Sequence, residues 1–226
     1  MPVYNAPLLQ IDTKETRRYA GLMKAQDFGE TLIEEACEDA LLLAAPKGIW
    51  QVYDYDCESR EVKADPSFII VGEKIGNHLA GCDKVVLLAA TVGDGIEEMV
   101  TKRFRDGAYA SSVLLDAAAT TAVEQVADAM EKAIRPEAAA KGYRMRWRFS
   151  PGYGDWPMEQ QPDVVRLSHA KEIGISLTES LMLTPRKSIT AIIGLCREDL
   201  AFPRPKDRTA KGCAGCSKTD CLSRRM

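Results

Sequence analysis

Ten consecutive residues, Arg148-Phe149-Ser150-Pro151-Gly152-Tyr153-Gly154-Asp155-Trp156-Pro157, gather the groups with which this chain can recognise a ligand. A guanidinium grips a carboxylate through two parallel charge-assisted hydrogen bonds. Pro151 fixes its own φ and pushes Ser150 toward extended geometry. Gly152 and Gly154 permit backbone angles that a Cβ would forbid, so bare N–H and C=O groups can come close to a bound molecule. Tyr153 and Trp156 add aromatic faces for a cation or a ring. Together these suit a zwitterionic, heteroaromatic ligand, with the fork on its carboxylate and the backbone on the edge of an adenine.

A second cluster, Cys213-x2-Cys216-x4-Cys221, offers three soft thiolates, with Gly212 and Gly215 allowing tight turns around an ion. In a reducing compartment this spacing favours metal over disulfide. Tetrahedral zinc and a [4Fe–4S] cluster each take four ligands. Cys196, at the end of the last predicted strand, is the expected fourth, with Cys82 or Cys57 behind it, or a small molecule or partner at an open position. The remaining cysteine, Cys37, lies in an apolar stretch where a thiol serves as a small hydrophobe. His78 and His169 sit in helix-like runs and read as structural. Neither Gly-x-Gly-x-x-Gly nor Gly-x4-Gly-Lys-Ser/Thr occurs, so an ordinary dinucleotide site and a phosphate loop are not supported.

These groups need a frame. Tyr143 to Phe149 alternates with period two, which predicts a half-buried strand carrying Tyr143, Met145, Trp147 and Phe149 on one side and ending in an exposed Arg148 on the other. Lys84 to Val92 is nearly continuous in β-branched and apolar residues and predicts a strand buried on both faces, the centre of the sheet. Shorter strands are expected over 49–55 and 68–71. Asp12 or Thr13 is a candidate cap for a helix through Tyr19, and Phe28 to Ala45 carries a helical apolar stripe. The Gly93-Asp94-Gly95 turn opens a helix with Ile96 and Met99. A long Ala-rich helical region follows from Ala108 to Ala140, broken near Pro136, with Asp116 and Glu124 interrupting its small-residue face. A helix is expected from Pro162 through Glu172. Leu177 to Leu183 and Ser188 to Leu195 are expected to pair as a hairpin through Thr184-Pro185-Arg186-Lys187. Hairpin neighbours mixed with crossovers predict an α+β fold with a mixed, largely antiparallel bent sheet flanked by helices.

At 226 residues, with 46% hydrophobic and 28% charged, the chain can bury one sizeable core. The expected division is a folded body over 1–198 and a basic, Cys-rich tail over 199–226. From Pro203 onward seven basic residues face two acidic ones, a net +5 that leaves −8 of the total −3 for the rest. The tail holds no aromatic residue from Pro203 on and is interrupted by cysteines, so metal or a protein partner is expected rather than nucleic acid. No run of about 18 apolar residues and no signal-like amino terminus is present, which predicts a cytoplasmic protein without a membrane partner.

Arg-x-x-Pro-Gly-Tyr with a Pro four residues after the Tyr, then Ile173-Gly174-Ile175-Ser176-Leu177-Thr178-Glu179-Ser180 and Pro185-x-x-Ser188, resembles the S-adenosylmethionine-binding activation domain of cobalamin-dependent methionine synthase. The resemblance is strongest over 142–194. It implies that fold, here as a separate protein, and a part in methionine biosynthesis: reductive reactivation, in which cob(II)alamin is reduced and trapped by methyl transfer from S-adenosylmethionine, a methyltransferase chemistry. It also implies site residues: Arg148 on the ligand carboxylate, Ser150 and Gly152 offering backbone, Tyr153 packing on or bonding the ligand, and Glu124 balancing its positive charge. The Asp-x-His-x-x-Gly pattern of corrinoid proteins is missing, so cobalamin is expected on a partner methionine synthase or corrinoid protein, with a flavodoxin- or ferredoxin-like reductant. An alternative of another class is an Fe–S electron-transfer protein that docks on a corrinoid protein without using S-adenosylmethionine.

Overall fold

The computed structural model describes residues 3–25 and 28–197, so the tail with Cys213, Cys216 and Cys221 lies outside the described residues. Six strands form one sheet in the order β3-β2-β1-β4-β8-β5, and each neighbouring pair is antiparallel. The strands are β1 (Lys47–Asp56), β2 (Glu61–Lys63), β3 (Phe68–Ile69), β4 (Lys84–Thr91), β5 (Tyr143–Met145) and β8 (Ser188–Arg197). The expected α+β fold is what the chain adopts. As expected, β4 is central. Its Val86, Leu88 and Ala90 pack into one core cluster and its Val85 and Leu87 into another, because successive side chains leave opposite faces of a strand.

Helices cover the two faces unequally. α1 (Thr13–Tyr19), α2 (Glu30–Leu43), α4 (Gly95–Arg105) and α5 (Tyr109–Ala140) build the thicker layer. Asp12 caps α1: its Oδ1 accepts from the backbone N–H of Lys14 and Glu15 at 2.8 and 3.1 Å. α5 presses its small residues Ala118, Ala119 and Ala122 into the core. The approach is close enough that a Cβ on Gly48 of β1 would collide with the Met130 thioether. On the opposite face lie α3 (Glu73–His78) and α6 (Gln161–Leu167), the latter flanked by 3₁₀ turns.

Three expectations are corrected. α5 is not broken at Pro136 but continues through it to Ala140. Pro136 lies on the exposed side of the last turns, where water can satisfy the carbonyl that the ring leaves unbonded. The helix expected from Pro162 to Glu172 stops at Leu167, because His169 adopts a left-handed conformation (φ 60°). That turn seats Ala170, Ile173 and Ile175 against Ile49 and Ala89 in a third apolar cluster. The predicted hairpin between Leu177–Leu183 and β8 does not form. Instead β6 (Ser176–Leu177) pairs with β7 (Leu183–Thr184) as a small separate sheet. Thr178 closes it: its N–H donates to the Met182 carbonyl and its Oγ1 accepts from the Met182 N–H, with Leu181 at φ 63°. β8 is thereby free to pair with β4 and β5.

Candidate functional site

The edge strand that carries Arg148 does not keep the expected alternation. Met145 pairs with Leu195, and Phe149 pairs with Ile192 through reciprocal N–H···O bonds of 2.9 and 2.8 Å. Four steps along the edge therefore oppose three along β8, an extra residue of the kind that defines a β-bulge and re-aims side chains. The consequence is a change of side. Tyr143 and Met145 pack toward the α5 layer, whereas Phe149 packs into the opposite cluster and Trp147 stacks on His78 with ring centroids 4.5 Å apart. Arg148 points back to α5, on the same side as Met145.

There it is not the exposed guanidinium that the sequence predicts. Its side chain is 14% exposed and bonds three carboxylates from one stripe of α5: Glu124 at 2.6 Å, Asp128 at 2.5 Å and Glu131 at 2.6 Å. The three acids follow i, i+4, i+7 spacing, which puts them on one helix face. Burial opposes the charge on Arg148, but the bond to Asp128, the charges of Asp128 and Glu131 and the bond to Glu124 outweigh it and hold its pKa above the ordinary arginine value. With one cation and three anions the group carries a net −2. Neighbouring Tyr19 feels that excess: its pKa is raised, first by burial and then by the charge of Glu124.

Behind Arg148 the chain turns on buried supports. The Gly152 N–H donates to the Trp156 carbonyl at 2.8 Å, closing the loop over Tyr153, Gly154 and Asp155. Gly152 has φ +85°, and a Cβ on it would stand 2.6 Å from Met158 Sδ. Gly152→Ala is expected to cost about 1–3 kcal/mol through strain and that collision, read as a lower midpoint in urea unfolding. Trp156 is not a ligand-facing ring as its position in the sequence suggests. It is 1% exposed, and its Nε1–H donates to Gln160 Oε1 at 2.7 Å. Tyr153, by contrast, is exposed.

Asp155 fastens the turn to α3. Its carboxylate accepts from the backbone N–H groups of Glu73 at 2.8 Å and Lys74 at 2.9 Å, supplying a cap that Gly72 at the helix start cannot. The Lys74 N–H bond above all holds the Asp155 pKa below its ordinary value. A carboxylate depressed in the folded state adds stability above its unfolded pKa and loses it as pH falls through the folded one. Thermal melts of the wild type are therefore expected to fall on acidification below the usual aspartate range. Asp155→Ala should melt lower at neutral pH and show a shallower acid dependence. Equal acid slopes for the two proteins would contradict the cap.

Between this turn, the β6–β7 sheet, β8 and α5 lies a cleft of about 900 Å³. Arg148, Ser150, Gly152, Tyr153 and Glu124, the residues singled out for a nucleoside amino acid, all line it. Glu124 is the one member of the α5 acid stripe on its wall, and Arg186 is the other cation. Hydroxyls collect at the far side: Thr178, Ser180, Thr184, Ser188 and Thr190. Gln161, 3% exposed, donates to Thr190 Oγ1 at 2.7 Å and fixes that wall. The sequence reading missed Asp128, Glu131, Gln161 and this hydroxyl group. The acid stripe was findable from its helical spacing, whereas Gln161 and Thr190 are brought together only by the fold. Asp116, two turns before Glu124 on α5, pairs instead with Lys187 at 2.9 Å.

Of the expected metal ligands, Cys196 is buried in β8 with its Sγ 2.7 Å from that of Cys82. Among the described residues no three His, Cys, Asp or Glu side chains converge as a metal site, and no described helix is long and apolar enough to cross a membrane.

No curated protein matches the chain. Among solved structures, the crystal structure of the MetH reactivation domain bound to AdoHcy superposes with a TM-score of 0.61 at 14% identity. That alignment covers 89% of this chain and 81% of the other, a likeness of fold. The family described as vitamin B12 dependent methionine synthase, activation domain, matches residues 71–200, which is more than half of the chain and includes β4, α5, the Arg148–Tyr153 turn and β8. By that match the chain belongs to the activation-domain family of vitamin B12-dependent methionine synthase.

Proposed function

We propose that the chain binds S-adenosylmethionine in the cleft beside Arg148–Tyr153 and presents it to cobalamin carried by a partner methionine synthase or corrinoid protein, serving the reductive reactivation of that cobalamin. The observation that carries the reading is the cleft itself, with Glu124 and Arg148 on one wall and the Ser150–Gly152 turn on another. Its volume lies within the range of about 300–1,000 Å³ usual for small-molecule sites. The net −2 of the Arg148 group suits a ligand that carries a sulfonium and an ammonium against a single carboxylate. The relative that is bound to AdoHcy supports the same ligand class.

In this reading one exchange of partners fills the site. Arg148 Nη2 leaves the Glu124 carboxylate for the ligand carboxylate, and Glu124 turns its charge to the ligand's positive end. Asp128 and Glu131 keep Nη1 and hold the guanidinium in place. Ser150 and Gly152 offer main-chain groups to the base, and Tyr153 closes over it. The ligand supplies an electrophilic methyl on sulfur. The protein's part is to hold and orient it over the partner's cobalt, a contribution of proximity rather than of acid–base chemistry. The tail beyond residue 198 is a separate segment in this proposal. Its Cys213, Cys216 and Cys221 would hold zinc, or an iron–sulfur cluster that adds electron delivery, and iron, sulfide and zinc analysis of anaerobically purified protein distinguishes the two.

Isothermal titration of the full chain with S-adenosylmethionine, alone and with a cobalamin-loaded partner, tests the main reading. Saturable heat that AdoHcy suppresses is expected. No heat under both conditions would rule the ligand out.

A further inference from the structure

On the reverse side of the edge strand from α5, two thiols face each other in the core. Cys82 ends the turn after α3, its N–H donating to the Leu79 carbonyl at 3.0 Å, and it is 1% exposed. Cys196, 7% exposed, lies on β8 opposite Arg144. Their sulfurs are 2.7 Å apart, against ~2.05 Å in a disulfide. Gly194 makes the room: a Cβ there would stand 2.6 Å from Cys82 Sγ, 2.9 Å from Leu79 Cδ2 and 3.1 Å from Arg146 Cγ.

The pair has a cation. Arg146 Nη2 donates to the Ala80 carbonyl at 3.1 Å, which ties its guanidinium to the turn that ends in Cys82. Its Nε is buried and makes no hydrogen bond. The bulge that sends Arg148 to α5 leaves Arg146 on this opposite side. The contact between the two sulfurs and then the Arg146 charge hold the Cys196 thiol below its ordinary pKa, whereas the same contact and burial push Cys82 up. Two sulfurs in direct contact, beside a guanidinium tied to the same turn, are placed to join with little movement of the backbone.

We infer that Cys82 and Cys196 are a redox-active dithiol that closes to a disulfide when Cys196 meets a peroxide. The Cys196 thiolate attacks one peroxide oxygen, and the O–O bond breaks with hydroxide leaving. The resulting sulfenic acid is attacked by the Cys82 sulfur, which loses its proton as the S–O bond breaks and water departs. Two thiols are oxidised and one hydrogen peroxide is reduced to two waters. A dithiol reductant reverses the step. This assigns Cys196 to Cys82 and not to the tail cysteines as a metal ligand.

The full chain is exposed to hydrogen peroxide, denatured in N-ethylmaleimide, digested with trypsin and analysed by mass spectrometry. Each thiol falls in its own single-cysteine peptide, Ile75–Lys84 and Ser188–Arg197. The expected product is those two peptides joined, lighter than their sum by about two hydrogen masses and separated by dithiothreitol. Arg146→Met, checked for an unchanged circular dichroism spectrum, is expected to slow formation of the link about tenfold. The proposal is overturned if both peptides return as maleimide adducts, if Cys196 is recovered only in higher oxidation states, or if it is joined to Cys57 or to a tail cysteine. These outcomes are read on the wild-type chain, so they stand even where a variant fails to fold.

Discussion

Arg148→Ala is expected to weaken S-adenosylmethionine binding by roughly 10- to 100-fold, the loss of charge-assisted hydrogen bonds worth about 1.5–3 kcal/mol. It is also expected to lower stability, for a reason independent of any ligand. Without the guanidinium, Glu124, Asp128 and Glu131 are three like charges on one face of α5. Breaking a fully buried ion pair costs about 3–5 kcal/mol. Here Asp128 is 57% and Glu124 37% exposed, so water screens two of the three acids. About 2 kcal/mol is the expected loss, with most of it traceable to Glu131, the least exposed of the three at 16%. Calorimetry with the ligand and urea unfolding separate the two effects. Arg148→Lys is the sharper variant because it keeps the charge and removes the fork. Near-native stability with weakened binding is the expected outcome for it. A folded Arg148→Ala protein with unchanged affinity would remove Arg148 from the site.

Trp156→Ala is expected to be the most destabilising single change in the turn, at about 3–5 kcal/mol for a large core side chain. The indole is 1% exposed and stands at 6.3 Å, centroid to centroid, from Phe149. Its loss also strips a donor from Gln160 Oε1, which otherwise accepts from both Trp156 Nε1 and the Val71 N–H, while Gln160 Nε2 donates to the Ile69 carbonyl. The turn, β3 and the start of α3 are thereby one unit. Trp156→Phe keeps most of the volume and loses the N–H, so a smaller loss of about 1 kcal/mol is expected. Urea unfolding gives both values. A loss below about 1 kcal/mol for Trp156→Ala would mean that the turn stands without its anchor.

What the sequence displays and what it hides divide on physical grounds. β4 was legible because burial on both faces demands an unbroken apolar run from Val85 to Ala90. α1 was legible because Asp12 carries its own cap chemistry. α5 was legible in its small-residue stripe, but its continuity through Pro136 depends on which side of the helix meets water. The small β6–β7 sheet was hidden because Leu177 to Leu183 reads as one strand until Thr178 bonds back to Met182. In the site, residue types pointed to Arg148, Ser150, Gly152 and Tyr153, the family resemblance alone added Glu124, and the fold sets all five around one cleft. Residue type could not say that Trp156 faces inward or that Asp155 serves a helix begun 82 residues earlier. Those depend on contacts between segments far apart in the chain.

The extra residue between Met145 and Phe149 makes the position of the site a matter of counting. No exchange of side chain at 146, 147 or 148 carries the guanidinium across the sheet, because each position keeps its side whatever residue occupies it. Pairing the same residues as a regular strand, with no bulge, would instead turn Arg148 to the face that holds the two sulfurs and Phe149 to the α5 side.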